Sequence, residues 1–207
     1  MSASFRLGIL VSGRDSNMRS VVSGIQDGSV NAETAVVISN KENAPALEFA
    51  RNAGIPTVVI DHRPYGKDRQ AFETMVNRAL LDHQVDLVVL AGFMRILSPW
   101  FVGQWPLKIV NIHPSLLPAF PGIHAHQQAI DAGVKVAGCT VHFVDDGTDT
   151  GPIIAQATVP VHDNDSEASL AARVLVEEHR LLPQVIHQIA TAQLEVCGHH
   201  VRSIISG

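Results

Sequence analysis

The chain has 207 residues, 46% of them hydrophobic, which is enough to bury a full core in one domain or in two closely joined halves. A formal net charge of −5 with few aromatic residues and no basic block argues against an extended nucleic-acid or membrane footprint, while leaving single basic residues free to hold a phosphate or a glutamate tail. The apolar runs are strand-sized and interrupted, none approaching the roughly 20 residues that span a bilayer, and no signal-peptide core opens the chain, so a cytoplasmic location is the default expectation.

Taken in chain order, the β-branched runs at 5–11, 34–39, 56–60, 86–91 and 107–111 predict strands. Amphipathic stretches near 16–27, 43–53 and 68–84 predict helices between them, the second closing at Gly54 and the third before Asp86. Such alternation is the signature of a parallel α/β sheet, and near-continuous apolar strands are expected when helices cover both faces. Ligands then gather at the carboxyl ends of the strands. Beyond Pro121 the pattern predicts a helix near 124–132, strands near 136–144 and 153–160, and a long helix opening at Ser166. Ser166 reads as an N-cap with Glu167 in the first turn, and Leu170, Val174, Leu181, Val185 and Ile189 form an apolar stripe. Pro183 predicts a kink or restart of that helix. Strands near 194–197 and 201–205 close the pattern. No repeat or linker separates the halves, so the expected architecture is α/β, with an open, mostly parallel twisted sheet flanked by helices. Its N-terminal half is Rossmann-like and its C-terminal half carries a mixed sheet.

Cys139 and Cys197 stand in unrelated contexts without Cys-x-x-Cys spacing, and Cys139 reads as a core thiol. His124-Ala125-His126 and His199-His200 resemble metal-ligand pairs, but neither has a third ligand or helical i, i+4 spacing. Structural or surface roles are expected for both pairs, with His124 helping to shape the loop beside it.

The run Asn111-Ile112-His113-Pro114-Ser115-Leu116-Leu117-Pro118 carries the most chemistry. Extended i, i+2 spacing sets the carboxamide and the imidazole on one face of a strand end, and the prolines behind them restrict the backbone. Together Asn111 and His113 can hold an oxyanion and move a proton; alone, the pair also fits a cap beside a satisfied histidine. Near the N-terminus Leu7-Gly8-Ile9-Leu10-Val11 runs into Ser12-Gly13-Arg14-Asp15-Ser16-Asn17-Met18, a strand, loop and helix start whose free N–H groups and side-chain donors suit a phosphate. It is neither a Walker loop nor a dinucleotide fingerprint, and an ordinary N-cap fits it equally.

With Asp149 in Asp145-Asp146-Gly147-Thr148-Asp149-Thr150-Gly151, and with Leu90-Ala91-Gly92-Phe93-Met94-Arg95-Ile96-Leu97, Val141-His142-Phe143-Val144 and Glu177-Glu178-His179, the chain resembles the phosphoribosylglycinamide formyltransferases over nearly its whole length. The resemblance implies a single formyltransferase domain over 1–207, with a phosphate- and nucleotide-binding half at 1–111 and a folate-binding and catalytic half at 112–207. It implies formyl transfer from 10-formyltetrahydrofolate to glycinamide ribonucleotide, with no metal, by a monomer or homodimer acting on small molecules. Asn111 and protonated His113 would stabilise the oxyanion, and Asp149 would orient the imidazole and relay protons. Ser115 lacks a nucleophile-elbow context.

Substrate contacts carried over by resemblance are Gly13, Asp15, Ser16 and Asn17 on the phosphate and Glu178 on the ribose. Asp15 stands where relatives commonly have Gly, and Leu175 where they often have a polar residue. For the folate, the resemblance implies Arg69, Met94, Arg95, Ile96, Leu97, Val144, Asp145 and Asp149, with backbone groups at Arg95 and Leu97 reading the pteridine edge. A surface charge is the alternative for Arg69, a solvated helix-face charge for Glu178, and core packing for Met94, Ile96 and Leu97. Formyltetrahydrofolate deformylases share the Asn, His and Asp but usually carry an N-terminal regulatory domain, so a chain opening at the phosphate-binding strand points to the transferase. Initiator-tRNA formyltransferases add a basic C-terminal domain. A catalytically silent nucleotide-binding module is disfavoured by the presence of all three polar catalytic positions.

Overall fold

A computed structural model of the chain describes residues 4–13 and 16–204, and the chain divides into two compact units between Val110 and Asn111. The first unit opens with β1 (Arg6–Val11), buried from Leu7 onward, and continues through α1 (Ser16–Gln26), β2 (Glu33–Ser39), α2 (Pro45–Asn52) and β3 (Thr57–Val59). Then come α3 (Arg69–Asp82), β4 (Leu87–Leu90), α4 (Pro99–Gln104) and the start of β5 (Ile109–His113). β1 is parallel to both β2 and β4, and β2 to β3, giving the order β3-β2-β1-β4. The Val88 N–H donates to the Lys108 carbonyl at 2.8 Å, which brings the entry to β5 beside β4. The chain winds outward from β1 on one side and crosses to β4 on the other. The carboxyl ends of β1 and β4 therefore form the switch point at which doubly wound sheets bind ligands.

Local chemistry sets the helix ends of this unit. The Asp68 carboxylate accepts the Ala71 N–H at 2.9 Å and starts α3, whose Phe72, Val76 and Leu80 recur on one buried face. α4 is an element that the apolar pattern did not predict. It is only six residues long, too short for a periodic stripe, and is fixed by Pro99 at its start and by Ser98 as N-cap. Glu73 of α3, 1% exposed, accepts the Ser98 N–H at 2.8 Å and also its hydroxyl. Residues 92–98 are thereby held at their far end.

The second unit comprises the end of β5, α5 (Ala125–Asp131), β6 (Val136–Phe143), β7 (Ile153–Pro160), α6 (Glu167–Ala190), β8 (Leu194–Cys197) and β9 (His200–Ser203). The strand expected at 201–205 thus begins at His200 and ends at Ser203, and residue 205 lies outside the described residues. β6 pairs antiparallel with β7, β7 parallel with β9, and β9 antiparallel with β8, so this sheet is mixed. The class is α/β with a mostly parallel sheet and flanking helices. α6 packs on β6 and β7, with Leu170, Val174, Leu181, Leu182, Val185 and Ile186 buried on the helix and Cys139, Val141, Ala157 and Val159 buried on the strands. Each such side chain contributes about 1.5–3 kcal/mol when it is a fully buried Val, Leu or Ile.

The restart expected at Pro183 does not occur: α6 runs as one helix through it. A proline removes one backbone donor and crowds the preceding turn, but buried Leu181 and Leu182 on one side and Val185 and Ile186 on the other hold both segments to the same sheet. Ile186 lies in the core where the expected stripe has Ile189, which is only half-buried. Among the described residues no helix is long and apolar enough to cross a membrane.

Candidate active site

Asn111 and His113 stand at the end of β5 with the buried Ile112 on the opposite face, as alternation along a strand requires. His113 is 5% exposed, and both of its ring nitrogens face oxygen. Its Nε2 donates to the Phe120 carbonyl at 2.9 Å, and its Nδ1 lies 3.4 Å from Asp149 Oδ2. A neutral imidazole has one N–H and an imidazolium has two, so the doubly protonated ring is the form that satisfies both acceptors. Asp149 is itself held: the Gly122 N–H donates to Oδ2 at 2.8 Å, and the residue sits at φ 55°, in the left-handed region. Asp tolerates that region better than most residues, and strained backbone of this kind gathers at functional sites.

The loop carrying Phe120 and Gly122 is anchored from below. Thr140 of β6, fully buried, donates its hydroxyl to the Ser115 carbonyl at 2.7 Å and accepts the Leu117 N–H at 3.0 Å. Gln156 of β7 donates to both the Leu117 carbonyl and the Thr140 hydroxyl oxygen at 2.9 Å. Ser115, 2% exposed, spends its hydroxyl on the Ala119 carbonyl at 2.6 Å, so it holds the loop and is not presented as a nucleophile. The Asp149 loop is shaped from within, where the Asp145 carboxylate accepts the Gly147 N–H at 3.1 Å and the Thr150 hydroxyl at 2.7 Å. A Cβ at Gly151 would stand 1.9 Å from the Phe143 carbonyl, so only glycine lets the loop rejoin β7 so close to the end of β6. A cavity of about 200 Å³ opens beside Asp149, walled by Leu117, Pro118, Pro121, Thr150 and Ile153.

His142, which the sequence offers only as part of the Val141-His142-Phe143-Val144 stretch, joins this cluster. Its Nε2 lies 3.2 Å from Asn111 Nδ2 and 3.7 Å from Asp149 Oδ1. A histidine inside an otherwise apolar strand was the available signal, but its pairing with Asn111, 31 residues away, is tertiary. Burial is the main cause that pushes the His142 pKa below its ordinary value. Val144, half-buried, follows β6 directly.

Glu178 is 7% exposed, so the alternative of a solvated helix-face charge does not hold. Burial, reinforced by the negative charge of Glu178 and Glu177, pushes the Cys139 thiol up to about 12, which makes it an inert core thiol. Leu175 is half-buried. His124 begins α5 at φ 58° and is exposed, with Nδ1 3.9 Å from Glu167 Oε1. Among the described residues no group of three or more His, Cys, Asp or Glu is placed to hold a metal ion.

In the first unit the structure brings together the loops after β1 and β4. The Ser12 N–H donates to the Gly92 carbonyl at 3.1 Å, and the Met94 N–H donates to Ser12 Oγ at 2.8 Å. Gly13, Ser16 and Asn17 are half-buried beside this tie, the last two opening α1, while Asp15 lies outside the described residues. Met94 and Ile96 are 74% and 64% exposed, so core packing accounts only for Leu97, at 7%. The Arg95 guanidinium lies over the Phe72 ring, 5.3 Å from its centroid. Arg69 is exposed at the first position of α3, where the surface-charge alternative fits its surroundings.

A doubly wound first half and a second half with a buried imidazole between a carbonyl and a carboxylate define an α/β protein with an acid–base site of the kind enzymes use. The formyl transferase family model matches residues 5–186. The chain is 42% identical over 188 residues to the phosphoribosylglycinamide formyltransferase of Escherichia coli, covering 91% of this chain and 88% of that one. It is 45% identical over 191 residues to the trifunctional purine biosynthetic protein adenosine-3 of Bos taurus, covering 92% of this chain but only 19% of that protein, so it spans about a fifth of such relatives. Among solved structures, glycinamide ribonucleotide transformylase 1 of Symbiobacterium toebii superposes with a TM-score of 0.96 at 44% identity, covering 99% of this chain and 96% of that one. A formyltetrahydrofolate deformylase from Pseudomonas syringae superposes with a TM-score of 0.91 at 27% identity, covering 98% of this chain and 66% of that one. The chain belongs to the formyl transferase family and, within it, to the phosphoribosylglycinamide formyltransferases.

Proposed function

We propose that this chain transfers the formyl group of 10-formyltetrahydrofolate to the amine of glycinamide ribonucleotide, giving formylglycinamide ribonucleotide and tetrahydrofolate in purine synthesis. The observation that carries the reading is buried His113, donating to the Phe120 carbonyl and paired with Asp149, on the same strand face as Asn111. The amine lone pair attacks the formyl carbon, and the carbonyl electrons move onto oxygen. Asn111 and the His113 imidazolium stabilise that oxyanion by donation. Collapse breaks the bond between the formyl carbon and the folate nitrogen. A proton is delivered to that nitrogen, and the attacking amine loses one, with Asp149 relaying protons as general acid and base. No step calls for a metal or a covalent enzyme intermediate.

In the same reading Gly13, Ser16, Asn17 and the backbone at Asp15 hold the substrate phosphate, and Glu178 holds the ribose hydroxyls. The exposed Met94 and Ile96, the backbone at Arg95 and Leu97, and Val144, Asp145 and Asp149 contact the folate, with Arg69 a weaker candidate for its anionic tail. The chain acts as one formyltransferase domain on small molecules in the cytoplasm. Its test is tetrahydrofolate release from 10-formyltetrahydrofolate with and without glycinamide ribonucleotide. Release that requires the amine supports transfer. Equal release without it identifies a deformylase, the rival that the Pseudomonas syringae neighbour keeps in view at its lower identity.

A further inference from the structure

A carboxamide has two ends of nearly equal size and opposite use: the oxygen accepts and the N–H₂ donates. Packing alone does not choose between them, and the orientation is set by hydrogen-bond partners. An oxyanion donor at position 111 requires the N–H₂ end to be presented. That partner is His142, whose Nε2 lies 3.2 Å from Asn111 Nδ2.

What the ring can offer at Nε2 follows from its other side. His142 Nδ1 lies 2.9 Å from the Phe143 carbonyl, and a carbonyl oxygen only accepts, so Nδ1 carries the proton. A neutral ring protonated at Nδ1 has a bare lone pair at Nε2. His142 is 2% exposed, and burial favours the neutral ring. The charged and titratable groups acting on it are Asp149 and Asp145, which favour its charged form, and His113, which opposes it. Asp149 Oδ1 at 3.7 Å is beyond hydrogen-bond distance and does not take the Nε2 position for itself.

We propose that His142 is a positioning residue whose Nε2 lone pair locks the Asn111 amide with its N–H₂ end inward, spending one N–H on the ring and keeping the second as an oxyanion donor. A flipped amide sets oxygen against a lone pair, which both loses the hydrogen bond and adds repulsion. The catalytic consequence rests on the formyl-transfer reading, whereas the amide lock is a property of the free protein. Thr140 and His142 point to the same side of β6, so one strand face anchors the loop behind His113 through Thr140 and orients Asn111 through His142.

Two measurements test it. Nitrogen NMR of the whole ligand-free protein is expected to show a protonated Nδ1 and an unprotonated Nε2 on His142, with through-hydrogen-bond coupling from that Nε2 to Asn111 Nδ2. A protonated Nε2 overturns the lock. For catalysis, His142→Phe is placed in wild type and in an Asn111→Ala background. In wild type, kcat is expected to fall by about tenfold or more with both KM values within about twofold, since a misdirected donor loses part of what its removal costs. In the Asn111→Ala background a further fall of less than about twofold is expected, because the two residues act through one hydrogen bond. Equal losses in both backgrounds overturn the positioning role while leaving formyl transfer intact. If Asn111→Ala alone leaves turnover unchanged, the catalytic assignment of Asn111 fails, and the NMR result still decides the amide lock.

Discussion

Replacing Asp149 by Asn isolates the charge of the carboxylate from its shape. The side chain keeps an oxygen able to accept the Gly122 N–H, so the loop geometry at 2.8 Å can persist, while the ion pair with His113 is lost. At the observed 3.4 Å separation, two unit charges interact by roughly 5 kcal/mol at an effective dielectric of about 20. That gross figure is an upper bound, because the Phe120 carbonyl still accepts from Nε2 and both groups have already lost most of their hydration. If about 3–4 kcal/mol of it is felt in the transition state, kcat falls by roughly 10²–10³, at 1.36 kcal/mol per factor of ten. Steady-state release of tetrahydrofolate measures the rate, calorimetry measures nucleotide affinity, and circular dichroism checks the folded content. Glycinamide ribonucleotide affinity is expected to hold within a few-fold. Turnover within about threefold of wild type, at equal folded content, would refute the assignment of Asp149 as the partner of a charged His113.

Three further outcomes are expected. Ser16→Ala and Asn17→Ala each remove a donor at the start of α1, so glycinamide ribonucleotide binding weakens about tenfold or more per variant, from 1.5–3 kcal/mol per charge-assisted bond, with folate affinity unchanged by calorimetry. Burial depresses the folded-state pKa of His142 below its ordinary value of 6.5, so the unfolded chain binds the proton first as acid is added. Stability is then complete above about pH 6.5 and is lost as pH falls from there through the depressed value, with a slope of up to about 1.4 kcal/mol per pH unit. Urea midpoints measured from pH 8 to 5 should show this fall, and His142→Phe should flatten it; parallel slopes for the two proteins would contradict it. Leu182→Ala, which empties a fully buried position beside Pro183, should cost about 2–5 kcal/mol in urea unfolding, and a cost under 1 kcal/mol would mean that the core does not hold α6 across the proline.

The parallel strands of the first unit were legible because a strand covered on both faces is a continuous apolar run, as Leu7 to Val11 and Leu87 to Leu90 are. α4 was not, since six residues cannot show a helical period, although Ser98 followed by Pro99 carried the start signal. The Pro183 expectation treated the helix as an isolated one, whereas the buried residues on both sides of the proline decide its path. At the site, the shared face of Asn111 and His113 followed from strand alternation alone. The roles of Phe120, Gly122 and His142 did not, because each is defined by a contact with a residue distant in sequence or by a backbone group with no side-chain signature. The burial of Glu178 was equally invisible, since a helical Glu next to Glu177 and Arg180 reads as surface until the sheet beneath it is known.

The proposed reaction passes the formyl group to the substrate amine and not to water. It is tested most directly by supplying 10-formyltetrahydrofolate labelled with carbon-13 at the formyl carbon, together with glycinamide ribonucleotide, and identifying the labelled product by mass spectrometry. Label in the amide of formylglycinamide ribonucleotide, formed in step with tetrahydrofolate and lost in Asn111→Ala and His113→Ala, is the predicted result. Label recovered as free formate at the same rate with or without the amine would contradict it.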